Sequence, residues 1–312
     1  MEKKVTTPRV LILLAAYNGS EYIREQIDSI IIQEGVEISI LISLDASTDD
    51  TLNIINQYKK RYKCIDLLPY GESLGSAGKN FFHLINKAKI EGFDFVAFAD
   101  QDDIWLENKI LSAINAINKT NSDGYSSNVL AFWSDKTKKL VKKSHKQVKF
   151  DYLFESPGPG CSFVITKKLF SAFKEQIDNK YKNCDLPWLH DWYCYSFARF
   201  NKYKWFIDDN AYMLYRQHND NEVGANSGVT AFLNRLKTMV SGDGIKEVLS
   251  QADFIGQNNL PPIKYLNGGR LGALKLALMS FSLRRKVNHK LYCLFYFLLL
   301  SIIGLKAKGY TK

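Results

Sequence analysis

Residues 95–99, Phe-Val-Ala-Phe-Ala, run directly into Asp100-Gln101-Asp102-Asp103. A run this apolar belongs to a buried strand. A buried strand that releases acids at its carboxyl end fits an open α/β sheet, whose ligand crevice opens at that edge. Three acids in four residues repel one another and lose hydration there, costing roughly several kcal/mol unless a positive charge sits among them. The natural counter-charge is a divalent cation, which prefers carboxylate oxygen and keeps places for water and phosphate. The segment therefore predicts a metal site that holds a phosphorylated ligand.

The flanking sequence supplies such a sheet. Residues 9–17 read as a strand that ends at the turn Asn18-Gly19-Ser20. A helix over 21–33 follows, with Ile23, Ile27, Ile30 and Ile31 on one stripe. A strand over 36–44 leads to Ser47 and Thr48, which suit a helix N-cap, with Asp49 and Asp50 in the first turn. A short strand over 64–68, a helix over 79–88, the strand 93–99 and a helix over 104–118 complete the pattern. In that arrangement Asp103 is a candidate N-cap of the last helix. Strands separated by helices imply a parallel sheet covered on both faces. Beyond residue 119 strands are expected over 129–134 and 162–166, divided by a lysine-rich stretch and by Pro157-Gly158-Pro159-Gly160. A helix over 187–200, strands over 204–207 and 211–216, and helices from about 229 follow.

The bulk composition suits a large folded protein: 312 residues, 46% hydrophobic and 24% charged. The five cysteines form no CxxC pair, which implies reduced thiols and a cytoplasmic protein. Lys3, Lys4 and Arg9 before the apolar run 10–16 mimic a signal peptide. The run is at the short limit for one, and a buried first strand explains it better.

The net charge of +10 is unevenly spread. Residues 268–312 hold nine Lys or Arg and no acid, and 136–149 hold seven lysines. Such clusters attract phosphate-rich partners or form a solvated surface. Inside the first lies the uncharged stretch 291–305, shorter than the ~20 residues a membrane span needs. Its basic flanks and Tyr292, Phe295, Tyr296 and Phe297 predict contact with an anionic membrane surface; the alternative is a helix buried in protein.

Chemistry-bearing residues recur at strand ends. Ala16, Tyr17 and Asn18 end the first strand, Asp45 the second, and Asp100, Gln101 and Asp102 the fourth; His190-Asp191-Trp192 follows later. Together these stretches resemble family 2 glycosyltransferases of the GT-A fold. Leu44-Asp45-Ala46-Ser47-Thr48-Asp49 resembles the family's Asp-Asp-Gly-Ser-x-Asp, with Leu44 and Ala46 departing from it. Asp100-Gln101-Asp102 resembles its DxD motif, Gly160-Cys161 its later Gly-Cys stretch, and Tyr215-Arg216-Gln217-His218 its Tyr-Arg-x-His. The likeness runs from about Val10 to Gly224. The set is most similar to the bacterial rhamnosyltransferases of O-antigen and capsule assembly.

The resemblance implies a GT-A domain over 1–224, with a nucleotide-binding half to about 119 and an acceptor-binding half beyond it, then a basic helical region over 225–312. It implies a nucleotide-diphospho-sugar donor held by Ala16, Tyr17, Asn18, Asp45, Asp100, Gln101, Asp102 and Arg216. Mg²⁺ or Mn²⁺ is expected on Asp102, with Asp103 and His218, and Asp191 is expected to be the general base of an inverting transfer. Gly160, Cys161, His190 and Trp192 are acceptor-site candidates. The acceptor would be a glycan or a polyprenyl-linked oligosaccharide at the inner face of the bacterial cell membrane. dTDP-rhamnose is the first donor candidate, with UDP-hexoses and galactofuranose donors as alternatives. A nucleotidyltransferase would need the same metal site but no Asp191. A dehydrogenase is excluded by the lack of GxGxxG after the first strand. No nucleic-acid partner is expected, because a basic binding protein leaves residues 100–103 without a purpose.

Overall fold

The computed structural model describes residues 7–181, 186–218 and 243–304. Nine strands form one sheet: β1 (Arg9–Ala16), β2 (Glu37–Leu44), β3 (Ile65–Leu67), β4 (Phe95–Ala99), β5 (Ile104–Trp105), β6 (Gly124–Phe132), β7 (Lys138–Val141), β8 (Val164–Thr166) and β9 (Trp205–Arg216). The order is β3-β2-β1-β4-β8-β6-β9-β5, with β7 paired to β6. The first four strands in chain order are parallel. β8 enters antiparallel to β4 and β6, and β9 runs parallel to β6. The parallel half thus carries its acids to one edge, as expected, and the second half extends the same sheet.

Helices cover both faces. α1 (Ile23–Ile31), α2 (Thr51–Arg61) and α4 (Lys109–Thr120) bury Ile23, Ile27, Ile54, Ile110 and Ile114 on one. α3 (Ala77–Lys87), α5 (Lys167–Lys180) and α6 (His190–Phe200) bury Phe81, Phe82, Phe170, Phe173 and Tyr193 on the other. α3 starts at Ser76, whose hydroxyl accepts from Lys79 N at 3.2 Å, and α5 starts at Thr166, which accepts from Leu169 N.

Four further helices follow: α7 (Asp243–Ile255), α8 (Pro261–Leu266), α9 (Gly269–Leu283) and α10 (Val287–Ile303). They are no loose appendage. Val248, Ile263, Leu276, Leu283 and Phe297 join the core on the α3–α5–α6 face. The expected boundary at 224 and the start of the helical region at 229 lie outside the described residues.

Three elements differ from expectation. The helix expected from 104 begins at Lys109, because Ile104–Trp105 pairs with Met213 and Leu214 of β9. The strands 204–207 and 211–216 are one strand, bulged where Ser127 and Asn128 pair with it. α5 is an additional helix, with Leu169, Phe170, Phe173 and Ile177 on its buried side.

Candidate active site

The end of β1 is tied to the end of β4 by one side chain. Tyr17 N donates to Gln101 Oε1 at 2.8 Å, and Gln101 Nε2 donates back to Tyr17 O at 2.8 Å. A Cβ on Gly19 would lie 2.1 Å from that Oε1, so any larger residue there would displace the Gln101 amide. Asn18 sits in the left-handed region (φ 43) and its Oδ1 accepts from Thr48 N at 2.9 Å, fastening the loop after β2. Tyr17 itself is 54% exposed, an open aromatic face at the crevice. Ala16 O accepts from Asp45 N and from the buried Asn80 amide, which also donates to Ser43 O.

Asp45 is buried at the end of β2, and its carboxylate is largely occupied. Oδ1 accepts from Ala46 N and Leu74 N, and Oδ2 from Gly75 N, each at 2.8 Å. Its visible role is to hold the 74–75 turn at the end of β2.

The four residues after β4 divide. Asp100 is half-buried. Asp102 Oδ2 lies 2.8 Å from His218 Nε2, and both side chains keep some exposure. Asp103 points inward. It is fully buried, its Oδ1 accepts from Arg216 N at 3.1 Å, and its Oδ2 has no hydrogen-bond partner. It caps no helix, since the chain after it is a strand. Burial, then the charges of Asp102 and Asp100, raise its proton affinity well above the ordinary carboxyl range. Ligand atoms of Asp100, Asp103 and Cys161 lie within 4.8 Å of one another.

Positive charge surrounds this knot. Arg216 is clamped rather than free: Nε donates to Asp102 O at 2.8 Å, Nη2 pairs with Glu25 at 2.5 Å, and the guanidinium lies 4.6 Å from the Tyr22 and Phe132 rings. His218 stacks on Tyr22. Beneath lies Lys109, buried, its ammonium 3.4 Å from the Trp105 ring centroid and without a hydrogen bond. Burial lowers its pKa to about 7, opposed by the fields of Cys161 and Asp103.

The donor set fits a hard divalent ion. Carboxylate oxygen suits Mg²⁺ or Mn²⁺, and the Asp102–His218 pair keeps solvent access for water and phosphate oxygens. Cys161 does not suit it: burial, then Asp103, push its thiol well up, and a neutral thiol is a poor partner for such ions. Asp103 belongs with Asp100 to the acidic group whose ligand atoms converge here, and its carboxyl is fully buried.

Asp191 sits in the first turn of α6. The preceding His190 stacks on Phe81 (3.8 Å between centroids) and meets Phe98 edge-on, two residues ahead of Asp100. The first turn of α6 is therefore fixed at the edge where the acids leave β4. Asp191 Oδ2 accepts from Ser156 Oγ at 3.0 Å and Oδ1 from Trp192 N at 2.6 Å. Burial raises its pKa to about 6, against the lowering effect of Ser156, the Trp192 N–H and the Lys143 charge.

The four acceptor candidates are all buried. His190 is buried, neither ring nitrogen has a hydrogen-bond partner, and burial lowers its pKa to about 3, so it is neutral. Gly160 makes room for that ring, and Cys161 lies behind the acids. Trp192 is buried with its Nε1 donating to Tyr152 O at 2.9 Å. A Cβ on Gly160 would sit 2.2 Å from His190 Nε2, and the wedged ring cannot retreat. Gly160→Ala is expected to cost about 1–3 kcal/mol, measured as a lower urea midpoint with unchanged slope.

Ser156, Asn80, Lys109 and Lys143 escape sequence reasoning. Only Ser156 carries a signal, as a turn residue before the Pro-Gly-Pro-Gly stretch.

A family model described as Glycosyl transferase family 2 matches residues 11–217. The dTDP-rhamnosyl transferase RfbG of Shigella flexneri is 44% identical over 282 residues, covering 90% of this chain and 97% of that protein. UDP-Glc:alpha-D-GlcNAc-diphosphoundecaprenol beta-1,3-glucosyltransferase WfgD of Escherichia coli is 25% identical over 264 residues, covering 82% of this chain and 90% of its own. Among solved structures, S. aureus TarS 1–349 in complex with UDP-GlcNAc matches with a TM-score of 0.52 at 15% identity, over 93% of this chain and 71% of that one. Likeness at that identity speaks to the fold alone.

Proposed function

The chain belongs to glycosyl transferase family 2, and from that premise we propose an inverting, metal-dependent transfer of L-rhamnose from dTDP-rhamnose to a hydroxyl of a lipid-linked cell-surface glycan. The donor follows the 44% likeness to a dTDP-rhamnosyl transferase along nearly the whole of both chains. The acceptor class follows WfgD, whose name specifies a diphosphoundecaprenol-linked sugar.

The observation that carries the chemistry is Asp191. A carboxyl near neutral proton affinity, steered by Ser156 and set at the acid-bearing edge, suits a general base. A nucleotidyl transfer has no use for it. The nucleoside lies between Tyr17 and the turn that Asp45 holds. The diphosphate lies toward Asp102 and His218, which would hold Mg²⁺ or Mn²⁺ with Asp100 in support. That ion supplies charge neutralisation for the departing nucleoside diphosphate. Arg216 fixes the backbone of Asp102 rather than closing over the donor. Asp191 takes the proton of the acceptor hydroxyl as its oxygen bonds the anomeric carbon and the phosphate oxygen leaves from the opposite face.

Since the base must be ionised, kcat/KM is expected to fall tenfold per pH unit below about 6 and to level off above it. A profile flat from pH 5 to 8 removes Asp191 from this role.

We place the protein at the inner face of the bacterial cell membrane. Among the described residues no helix is long and apolar enough to cross a membrane. Support for a surface contact comes from α9 and α10, where Leu278 (78%) and Phe295 (66%) are exposed between basic residues. Leu278→Lys with Phe295→Lys is expected to move the protein from membrane pellet to supernatant. An unchanged distribution sinks the placement.

A further inference from the structure

The elbow between α9 and α10, residues 284–286, is built into the loop that steers Asp191. Arg285 is buried; its Nη2 donates to Ser156 O and its Nε lies 3.4 Å from Glu155 and 3.6 Å from Asp151. Its Nη1 has no hydrogen-bond partner. Arg284 donates to Phe154 O and reaches Glu155 at 3.8 Å.

The acids here are taken. Asp151 accepts from Tyr195 and pairs with Arg199 as well as Arg285, Glu155 pairs with both elbow arginines, and Asp191 accepts from Ser156 and Trp192. Two lysines are left over. Lys143 is held by its N–H to Asn128 Oδ1 at 2.6 Å, with its Cβ 3.8 Å from where a Cβ of Gly158 would be. Among the described residues its ammonium makes no hydrogen bond or close ion pair, though it feels the charges of Asp191, Arg285 and Glu155. Lys286 is exposed on the elbow, and His145 feels the charges of Arg285, Lys286 and Lys142. Among the described residues, the loop beside Asp191 therefore carries lysine charge beyond that held by the paired acids.

Apolar surface leads away from that charge. On α9, Leu274, Leu278 and Phe281 are exposed at spacings of four and three; on α10, Leu291, Phe295 and Leu299 are exposed at spacings of four. Such spacings put each trio on one helix side. Lys290 lies 5.9 Å from the Phe281 ring, joining the two helices beside the elbow. α10 offers about 25 Å of length for an extended hydrocarbon.

We propose that Lys143, Lys286 and the α9–α10 elbow form the subsite for the diphosphate of a prenyl-diphosphate-linked acceptor, with the exposed apolar sides of α9 and α10 carrying its hydrocarbon. The inference rests on the lipid-linked acceptor proposed above and adds the residues that recognise it. Arg285 is a positioning residue, because it acts through Ser156. Occupancy of the subsite sets the sugar hydroxyl beside Asp191.

The test titrates the full chain with farnesyl diphosphate by calorimetry, without divalent metal so that the donor side stays weak. Farnesyl diphosphate is expected to bind at least tenfold more tightly than inorganic pyrophosphate, farnesol or phosphatidylglycerol vesicles, the last compared per accessible lipid. Lys143→Gln with Lys286→Gln should weaken it at least tenfold, and Lys143→Arg should retain it. Phe295→Ser should weaken farnesyl diphosphate but not pyrophosphate. Binding of dTDP with Mn²⁺ reports that each variant is folded. Equal binding by wild type and the double variant overturns the subsite. Pyrophosphate binding as tight as farnesyl diphosphate overturns the apolar half, and vesicles binding as tightly per lipid reassign the patch to lipid headgroups. None of these results depends on sugar transfer, so loss of the proposed activity and loss of the subsite are separate outcomes.

Discussion

Asp191→Asn is expected to slow sugar transfer by orders of magnitude while the donor still binds. The amide keeps the size of the carboxyl and can still accept from Ser156, but it cannot take a proton. Loss of a positioned base lowers kcat by roughly 10²–10⁴-fold. Single-turnover transfer paired with calorimetric donor binding separates the two effects. The same substitution stabilises the fold. The carboxyl of Asp191 has its pKa raised from 3.8 to about 6, so the folded state resists its ionisation. Full stability holds below about pH 4 and is lost as pH rises through 6. With the group half-buried, the penalty above that range is on the order of 1–2 kcal/mol. The asparagine variant escapes it, so its thermal midpoint should exceed the wild type's at pH 8 and match it at pH 4. A variant that is inactive and equally stable at both values points to general damage instead.

Asp102→Ala is expected to remove the metal dependence of donor binding. The substitution deletes the carboxylate that meets His218 and leaves the imidazole without its partner. Donor affinity in Mn²⁺ should fall to the metal-free value, and turnover by roughly 10²–10³-fold, the scale for losing charge stabilisation at a leaving group. Asp103→Asn is the contrast. Its side chain faces the Arg216 backbone and the core, so donor binding should stay metal-dependent. If Asp103→Asn alone removed the metal effect, the ion would belong to the inner group of Asp100, Asp103 and Cys161.

The parallel half of the fold is legible because local pattern determines it. Strands such as Val10–Ala16 and Phe95–Ala99 are continuous apolar runs, and each ends at a residue that matters. The misplaced elements depend on partners far away in the chain. Ile104 and Trp105 continue the apolar pattern of α4, yet they pair with β9 more than a hundred residues later. Asp208-Asp209-Asn210 looks like a break between two strands, but it is a bulge whose polar groups are used: Asp208 accepts from Tyr125 and Asp209 O from Asn128.

The site is legible by residue type and much less by role. DQDD names the acids, but only packing shows that Asp103 turns inward. His190 next to Asp191 reads as a site residue, and its burial against Phe81 is invisible without the fold. The basic run 284–286 reads as a membrane flank. In the folded chain Arg285 reaches the loop beside Asp191, a role that charge counting does not separate from the first.

The most direct test measures nucleoside diphosphate release from dTDP-rhamnose by the wild-type protein with Mn²⁺, after chelation, and after Mn²⁺ is restored, with UDP-glucose run in parallel. The account predicts dTDP release that stops on chelation and returns with the metal, with UDP-glucose turned over far more slowly. Release that ignores chelation, or no release from either donor while both bind, contradicts it.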